Sequence, residues 1–235
     1  MPSVTDAERR APRRDAAENR EALLTAAAAC LADSPDASLL TIAESAGLTR
    51  RAVYGHFANR DDLVLALIAR GADRLNAAAT DAHSDEASVS GGASARPADA
   101  ASAIARLAGR LWDAVEHVRV LAAMAVRDPY IEQVAVALAP VRAALAALVE
   151  RGAAAGDVRP DIPPALLARL IERAAIAVLI EAAADRVAAH DGRRLAMLAV
   201  LSTAGLDWRT AAAVADAETA ADAGAQADPE AGSTR

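Results

Sequence analysis

The chain has 235 residues, with 54% hydrophobic residues, 2% aromatics and one cysteine. That length allows one large or two small domains. The lone cysteine excludes an internal disulfide framework, and the alanine-rich apolar share points away from strands toward helices with a Leu, Ile, Val and Ala core. The net charge of −7 excludes a uniformly basic protein, but it is unevenly spread: residues 1–75 carry 10 Arg and 11 Asp/Glu, whereas 76–235 carry 15 Arg and 21 Asp/Glu. Local field governs phosphate contact more than the total does.

In chain order, residues 1–15 are polar and charged, contain Pro2 and Pro12, and read as a flexible basic arm. A first helix is expected over about 15–32, its buried stripe formed by Leu23, Leu24, Ala27, Ala28 and Leu31. Cys30 lies in that stripe region and reads as an inert thiol. Asp33, Ser34, Pro35 and Asp36 break the helix. Ser38 then caps a short helix whose Leu39, Ile42, Ala43 and Ala46 recur at helical spacing. Gly47 supplies a left-handed turn, Leu48 plugs it, and Thr49 caps a second short helix anchored by Val53 and Phe57. Arg50, Arg51, Ala52, Tyr54, Gly55 and His56 are then free to point outward. Two short helices joined by a tight glycine turn form a helix-turn-helix that can enter a major groove.

Asn59 caps a connecting helix expected to end near 78, completing a first domain over 16–78. Residues 79–100 are small, polar and glycine-containing, and read as a mobile linker or loop. Apolar periodicity resumes at Ile104 and continues to Asp128-Pro129. A further helix spans roughly 130–155, with Pro140 expected to kink or split it. Three prolines break the chain between 156 and 164, and two long helices follow, about 164–189 and 193–217. Residues 101–217 thus form a second helical domain, and 218–235 read as a disordered tail.

The segment Ile42-Ala43, Ala46-Gly47-Leu48-Thr49, Val53-Tyr54, His56-Phe57, Arg60 and Leu63 resembles the TetR family of bacterial transcriptional regulators. Gly156-Asp157-Val158-Arg159-Pro160-Asp161 and Gly205-Leu206 are similar to features of that family's C-terminal domains. The resemblance implies an all-α fold: an N-terminal three-helix DNA-binding domain followed by a helical effector-binding and dimerisation domain. It also implies a ligand-responsive repressor on a palindromic operator. The sequence departs from the family at Leu40, where a basic residue is common, and at Arg51 and Ala52, where small and hydroxyl residues are. The Leu40 change bears on a contact to the DNA backbone, and Arg51 and Ala52 bear on which operator is read.

Ser38, Thr49, Arg50, Arg51, Ala52, Tyr54, His56 and Arg60 are the expected DNA-binding residues. Thr49 offers a hydroxyl and nearby N–H groups to a phosphate, Tyr54 and His56 donate to phosphate oxygens, and Arg60 adds a charge at the edge. Arg50 and Arg51 suit guanine edges, and Ala52 suits a thymine methyl. Arg9, Arg10, Arg13 and Arg14 are candidates for a flanking minor groove.

A single helix-turn-helix buries little surface, so a homodimer is expected on paired half-sites. Its interface is expected on the last two long helices, through Leu167, Leu170, Ile171, Ala174, Val178, Leu198 and Leu201, with Leu166 and Leu195 on the same apolar stripes. The family resemblance implies a small-molecule pocket lined by Leu107, Leu111, Trp112, Val115, His117, Met124, Arg127, Tyr130 and Ile176.

No metalloprotease, Cys-x-x-Cys, phosphate-loop or serine-hydrolase motif occurs, so no enzyme, cofactor or metal is expected. Asp113 and His117 lie four apart, but two ligands alone do not define a metal site. The competing reading is a helical protein-interaction module that has lost DNA binding. With no apolar run of about 20 residues and no signal-peptide core, a cytoplasmic protein without membrane contact is expected.

Overall fold

The computed structural model describes residues 4–89, 99–126, 129–188 and 190–227. Among them are eleven α-helices and no strand: α1 (Val4–Asp33), α2 (Leu39–Ser45), α3 (Arg50–His56), α4 (Arg60–Val89), α5 (Ala100–Val115), α6 (Arg119–Ala125), α7 (Ile131–Ala137), α8 (Ala139–Ala155), α9 (Pro164–Ala183), α10 (Gly192–Thr203) and α11 (Trp208–Ala227). A 3₁₀ turn, Glu116–Val118, links α5 to α6. The chain divides into two compact units within α4, between Gly71 and Ala72.

The first unit is built around Leu23, Leu24, Ala27 and Leu31 of α1, Ile42 and Ala43 of α2, Val53 and Phe57 from the α3 segment, and Leu63 and Val64 of α4. These positions follow helical spacing, so each helix presents one apolar stripe inward. Arg70 of α4 donates from Nη2 to the Leu24 carbonyl at 3.1 Å and pairs with Glu21, which pins α4 to α1. Cys30 is half-buried. The arm expected over 1–15 is corrected from Val4 onward, where α1 is already helical. Alanine, arginine and glutamate are strong helix formers, and that propensity extends the helix through the polar stretch.

In the second unit α5 lies at the centre of the core. Ala101, Ile104, Ala105, Leu107 and Ala108 of α5 meet Leu145, Leu148 and Val149 of α8, Leu167 and Ile171 of α9, and Met197, Val200 and Leu201 of α10. Asp99 caps α5 by accepting from the Ser102 N–H at 2.7 Å, and Asp157 accepts from the Ala100 N–H at 3.1 Å. Pro140 does divide the expected 130–155 helix: α7 and α8 meet at a 66° bend. No single helix among the described residues is long and apolar enough to cross a membrane. That bent pair reaches the length and composition, but Leu145, Leu148 and Val149 of α8 are buried in the core.

Three boundaries differ from expectation. Helix α4 runs through Val89, so the segment read as a linker from 79 is helical over its first half, and residues 90–98 lie outside the described residues. Ala79 is buried in the core of the second unit, which anchors that extension. The helix expected over 193–217 is two helices. Gly205 adopts φ +106, and a Cβ there would stand 2.7 Å from Arg159 Cβ. The Arg159 N–H donates to the Ala204 carbonyl at 2.8 Å, so the 156–162 loop secures the turn. Asp207 then caps α11, accepting from the Arg209 N–H at 2.9 Å and the Thr210 hydroxyl at 2.6 Å.

Finally, α11 continues to Ala227, so the tail read as disordered from 218 is helical for ten residues. Its anchor is Glu218, buried and held by a two-pronged pair with Arg106 at 3.0 and 3.1 Å. Arg193 joins Asp113 of α5 to Asp222 of α11, and Arg194 pairs with Asp216 at 2.9 Å.

Candidate nucleic-acid interface

Helix α3 has seven residues, about 10 Å at 1.5 Å per residue, so its two ends determine how it is held. At its start Thr49 Oγ1 accepts from the Ala52 N–H at 3.2 Å. At its end Phe57 is buried, with Arg20 of α1 over its ring at 5.3 Å from the centroid. Val53, one turn before Phe57, is sealed in the core of the first unit. Helix α2 is held in the same way. Ser38 Oγ accepts from the Thr41 N–H at 3.1 Å, and the two hydroxyls lie 2.8 Å apart. The join between the helices is Gly47 at φ +67, where the Leu48 N–H donates back to the Ala43 carbonyl at 2.9 Å. A left-handed residue with that closing bond ends α2 and turns the chain into α3.

With Val53 and Phe57 inward, Arg50, Arg51, Tyr54 and Gly55 are exposed, and Ala52 and His56 are half-buried. Tyr54 is 46% exposed, and the Arg50 guanidinium lies over its ring, 5.6 Å from the centroid. That contact leaves both the hydroxyl and the guanidinium edge facing outward. No carboxylate occurs between Gly47 and Asn59, so the outer face of α3 is locally cationic in an acidic chain. A face of donors and guanidinium groups on a short, doubly capped helix can meet phosphates and base edges.

Arg60 is placed differently from the expected edge cation. Its Nε donates to the Ala37 carbonyl at 3.1 Å and its Nη2 to the Pro35 carbonyl. The guanidinium therefore braces the loop that leads into α2. Asn59, not singled out beyond its capping role, accepts from the Asp62 N–H at 2.8 Å and starts α4. Arg9, Arg10, Arg13 and Arg14 lie in α1, and their side chains are outside the described residues.

The residues expected to line a pocket divide into groups. Leu107 belongs to the main core of the second unit, and Leu111 packs against it. Trp112 lies in a separate small cluster with Leu179, Ala182 and Ala196, flanked by Val115. Tyr130 is buried, Met124 and Ile176 are half-buried, and the side chains of His117 and Arg127 are outside the described residues. Asp113 is engaged by Arg193, with Nε 3.1 Å from both carboxylate oxygens. Among the described residues no three His, Cys, Asp or Glu side chains converge as metal ligands.

The expected dimer residues also divide. Leu167, Ile171 and Leu201 are sealed in the chain's own core and are removed from the candidate interface. The apolar stripe on α9 and α10 is wide enough to serve two partners, and the core takes these three. Leu170 is exposed, and Ala174, Val178 and Leu198 are half-buried. Leu166 and Leu195 are also exposed, 41% and 38%. On α9, Leu166, Leu170, Ala174 and Val178 follow one another at intervals of four, which places them along one face.

Residues 23–67 match the family model for bacterial regulatory proteins of the tetR family. No curated protein matches the chain. Among solved structures, the chain resembles the TetR-like transcriptional regulator LfrR from Mycobacterium smegmatis, in complex with proflavine, at 26% identity and a TM-score of 0.56, over 81% of this chain and 97% of that one. The M. smegmatis regulator AmtR aligns at 20% identity and a TM-score of 0.60, over 86% and 94% of the two chains. The fatty acid degradation regulator FadR from Bacillus halodurans aligns at 16% identity and a TM-score of 0.60, over 80% and 99%.

Proposed function

We propose that the chain is a DNA-binding transcriptional regulator of the TetR family, acting as a ligand-responsive repressor that binds a palindromic operator as a homodimer. The observation that carries the DNA-reading half is the outer face of α3. There Arg50, Arg51 and Tyr54 are exposed on a helix fixed from behind by Val53 and Phe57. Arg50 and Arg51 read guanine edges, Ala52 meets a thymine methyl, and Thr49, Tyr54 and His56 position the helix on phosphates. Ser38 and Thr49 contribute first as caps. Thr49 keeps its hydroxyl proton for a phosphate while its oxygen holds the Ala52 N–H. Arg60 contributes by holding the entry to α2.

Two copies are needed because one seven-residue helix touches only a few base pairs. The interface we propose is the face formed by Leu166, Leu170, Ala174 and Val178 of α9 with Leu195 and Leu198 of α10. Around a twofold axis these helices form a four-helix contact. An effector held in the second unit favours a state in which the two reading helices no longer match successive major grooves, about 34–36 Å apart. It does so only to the extent that it binds the two states unequally. LfrR was solved with proflavine and the Bacillus subtilis FadR with stearoyl-CoA, which supports an effector site in this chain without indicating its occupant.

The test is footprinting of the purified protein on its own chromosomal DNA. Paired half-sites one helical turn, or a multiple of it, apart are expected. Protection of isolated half-sites, or of none, would remove the operator reading.

A further inference from the structure

Trp112 is 4% exposed, and its Nε1–H is buried with no acceptor within hydrogen-bonding distance among the described residues. A buried donor without a partner is destabilising, and native structures rarely retain one without a use. Ala182, which packs with the ring, has its carbonyl accepting from Arg119 Nε at 3.2 Å. The apolar side chains packed with the indole are Leu179, Ala182 and Ala196, bordered by Val115, Ala122, Val178 and Val187.

The ring itself cannot turn to find an acceptor. A Cβ on Gly192 would lie 1.9 Å from Trp112 Cζ2, so the indole is packed tightly against the first turn of α10. The cluster around it is separate from the main core and is bordered by α6, whose Ala122 packs against it. Helix α6 has seven residues, buries only Ala123 and has no side-chain cap. Trp112 is thus a donor in an apolar setting, beside a short helix held to α9 through Arg119.

We propose that Trp112 Nε1–H is the polar anchor of the effector site, and that the effector is a mainly apolar molecule presenting one acceptor oxygen, of the ketone, ester or ether class, to that N–H. A mainly apolar ligand follows from the surroundings: Leu179, Ala182 and Ala196 pack with the ring, and Arg119 is paired with Asp185 and Asp113 with Arg193. This inference rests on the ligand-responsive function proposed above and gives that site its chemistry.

The experiment uses the full chain with ¹⁵N-labelled tryptophan and 2-decanone as probe, with 1-decene as a partner of similar shape that lacks the oxygen. Trp112 and Trp208 are the only two indoles, and Trp208→Phe assigns their signals. The ketone is expected to shift the Trp112 indole proton downfield and to slow its exchange, whereas the alkene does neither. Trp112→Phe keeps an aromatic ring, though a smaller one, and removes the donor, and should weaken ketone binding by roughly tenfold more than alkene binding. An unmoved Trp112 signal, as when a water alone holds the N–H, overturns the inference, as does equal ketone affinity in Trp112→Phe. Operator footprints measured in parallel keep the two readings apart. If another small molecule releases the operator while the Trp112 signal stays still, the anchor is refuted and the regulator reading stands.

Discussion

Leu166 and Leu167 are neighbours on α9 with opposite surroundings, and substituting them separates the two uses of that helix. Leu167 is 0% exposed and packs among the residues of the main core. Leu167→Ala should destabilise the chain by about 2–5 kcal/mol, the usual range for a buried leucine truncated to alanine. In a unit of this size that lowers Tm by roughly 5–15 °C. Leu166 is 41% exposed, so a change there should alter the folding of a single chain by only about 0.5 kcal/mol. On the proposed dimer face, however, Leu166→Asp buries an unpaired carboxylate from each copy near the twofold axis. An uncompensated buried charge costs about 3–5 kcal/mol, so the two together weaken dimerisation on the order of 10⁴–10⁷-fold. Sedimentation velocity combined with far-UV circular dichroism reads both effects. Leu166→Asp should run as a monomer with unchanged helix content at 20 °C, and Leu167→Ala as a dimer with a lower Tm. The reasoning fails if Leu166→Asp remains dimeric, or if it loses helix content as Leu167→Ala does on heating.

Two further outcomes follow from the junction of α10 and α11. Gly205→Ala places a side chain at φ +106 and against Arg159, and should destabilise the fold by about 1–3 kcal/mol. Calorimetry showing an unchanged Tm would mean that the turn is not held by its neighbours. The pH dependence of stability has a definite sign. The Thr210 hydroxyl, followed by the Thr210 and Arg209 N–H groups, holds the Asp207 carboxyl below its ordinary value of 3.8, and Arg194 does the same for Asp216. A carboxyl depressed in the folded state stabilises it above the ordinary value, and that contribution is lost as pH falls through the depressed one. The urea midpoint should therefore hold at neutral pH and fall below pH 3.8, with a shallower fall in Asp207→Asn/Asp216→Asn. An identical acid profile in that double variant would contradict the assignment.

The helix-turn-helix was legible because its signals are local. Ser38, Gly47 and Thr49 act within four residues of themselves, and Val53 and Phe57 are one turn apart, so spacing alone identifies caps, turn and anchors. The break at Gly205 was not legible, because a lone glycine inside an apolar period is compatible with a continuing helix. What ends α10 there is the Arg159 N–H, bonded to the Ala204 carbonyl 45 positions later in the chain. The ends of α4 and α11 were missed for a related reason. Alanine mixed with acidic residues suits both a helix and a tail, and a tertiary partner such as Arg106 opposite Glu218 decides between them. The stripe on α9 and α10 shows the limit of periodicity. It indicates that two faces are apolar, but not that Leu167, Ile171 and Leu201 turn to the chain's own core while Leu166, Leu170 and Leu195 turn outward. Arg60 likewise looked like any cation next to a DNA-reading helix until its carbonyl partners at Pro35 and Ala37 were in view.

The central claim is that the outer face of α3 carries recognition of DNA. The most direct measurement compares wild-type protein with Arg50→Ala/Arg51→Ala/Tyr54→Phe on one footprinted site as salt is raised. These side chains are exposed, so the variant should keep its helix content and Tm. Wild-type affinity should fall steeply with salt, with a slope of about −0.9 per phosphate neutralised. The variant should lose the site-specific footprint and bind with a shallower slope. A folded variant that occupies the same site with the same affinity and the same slope would contradict the account.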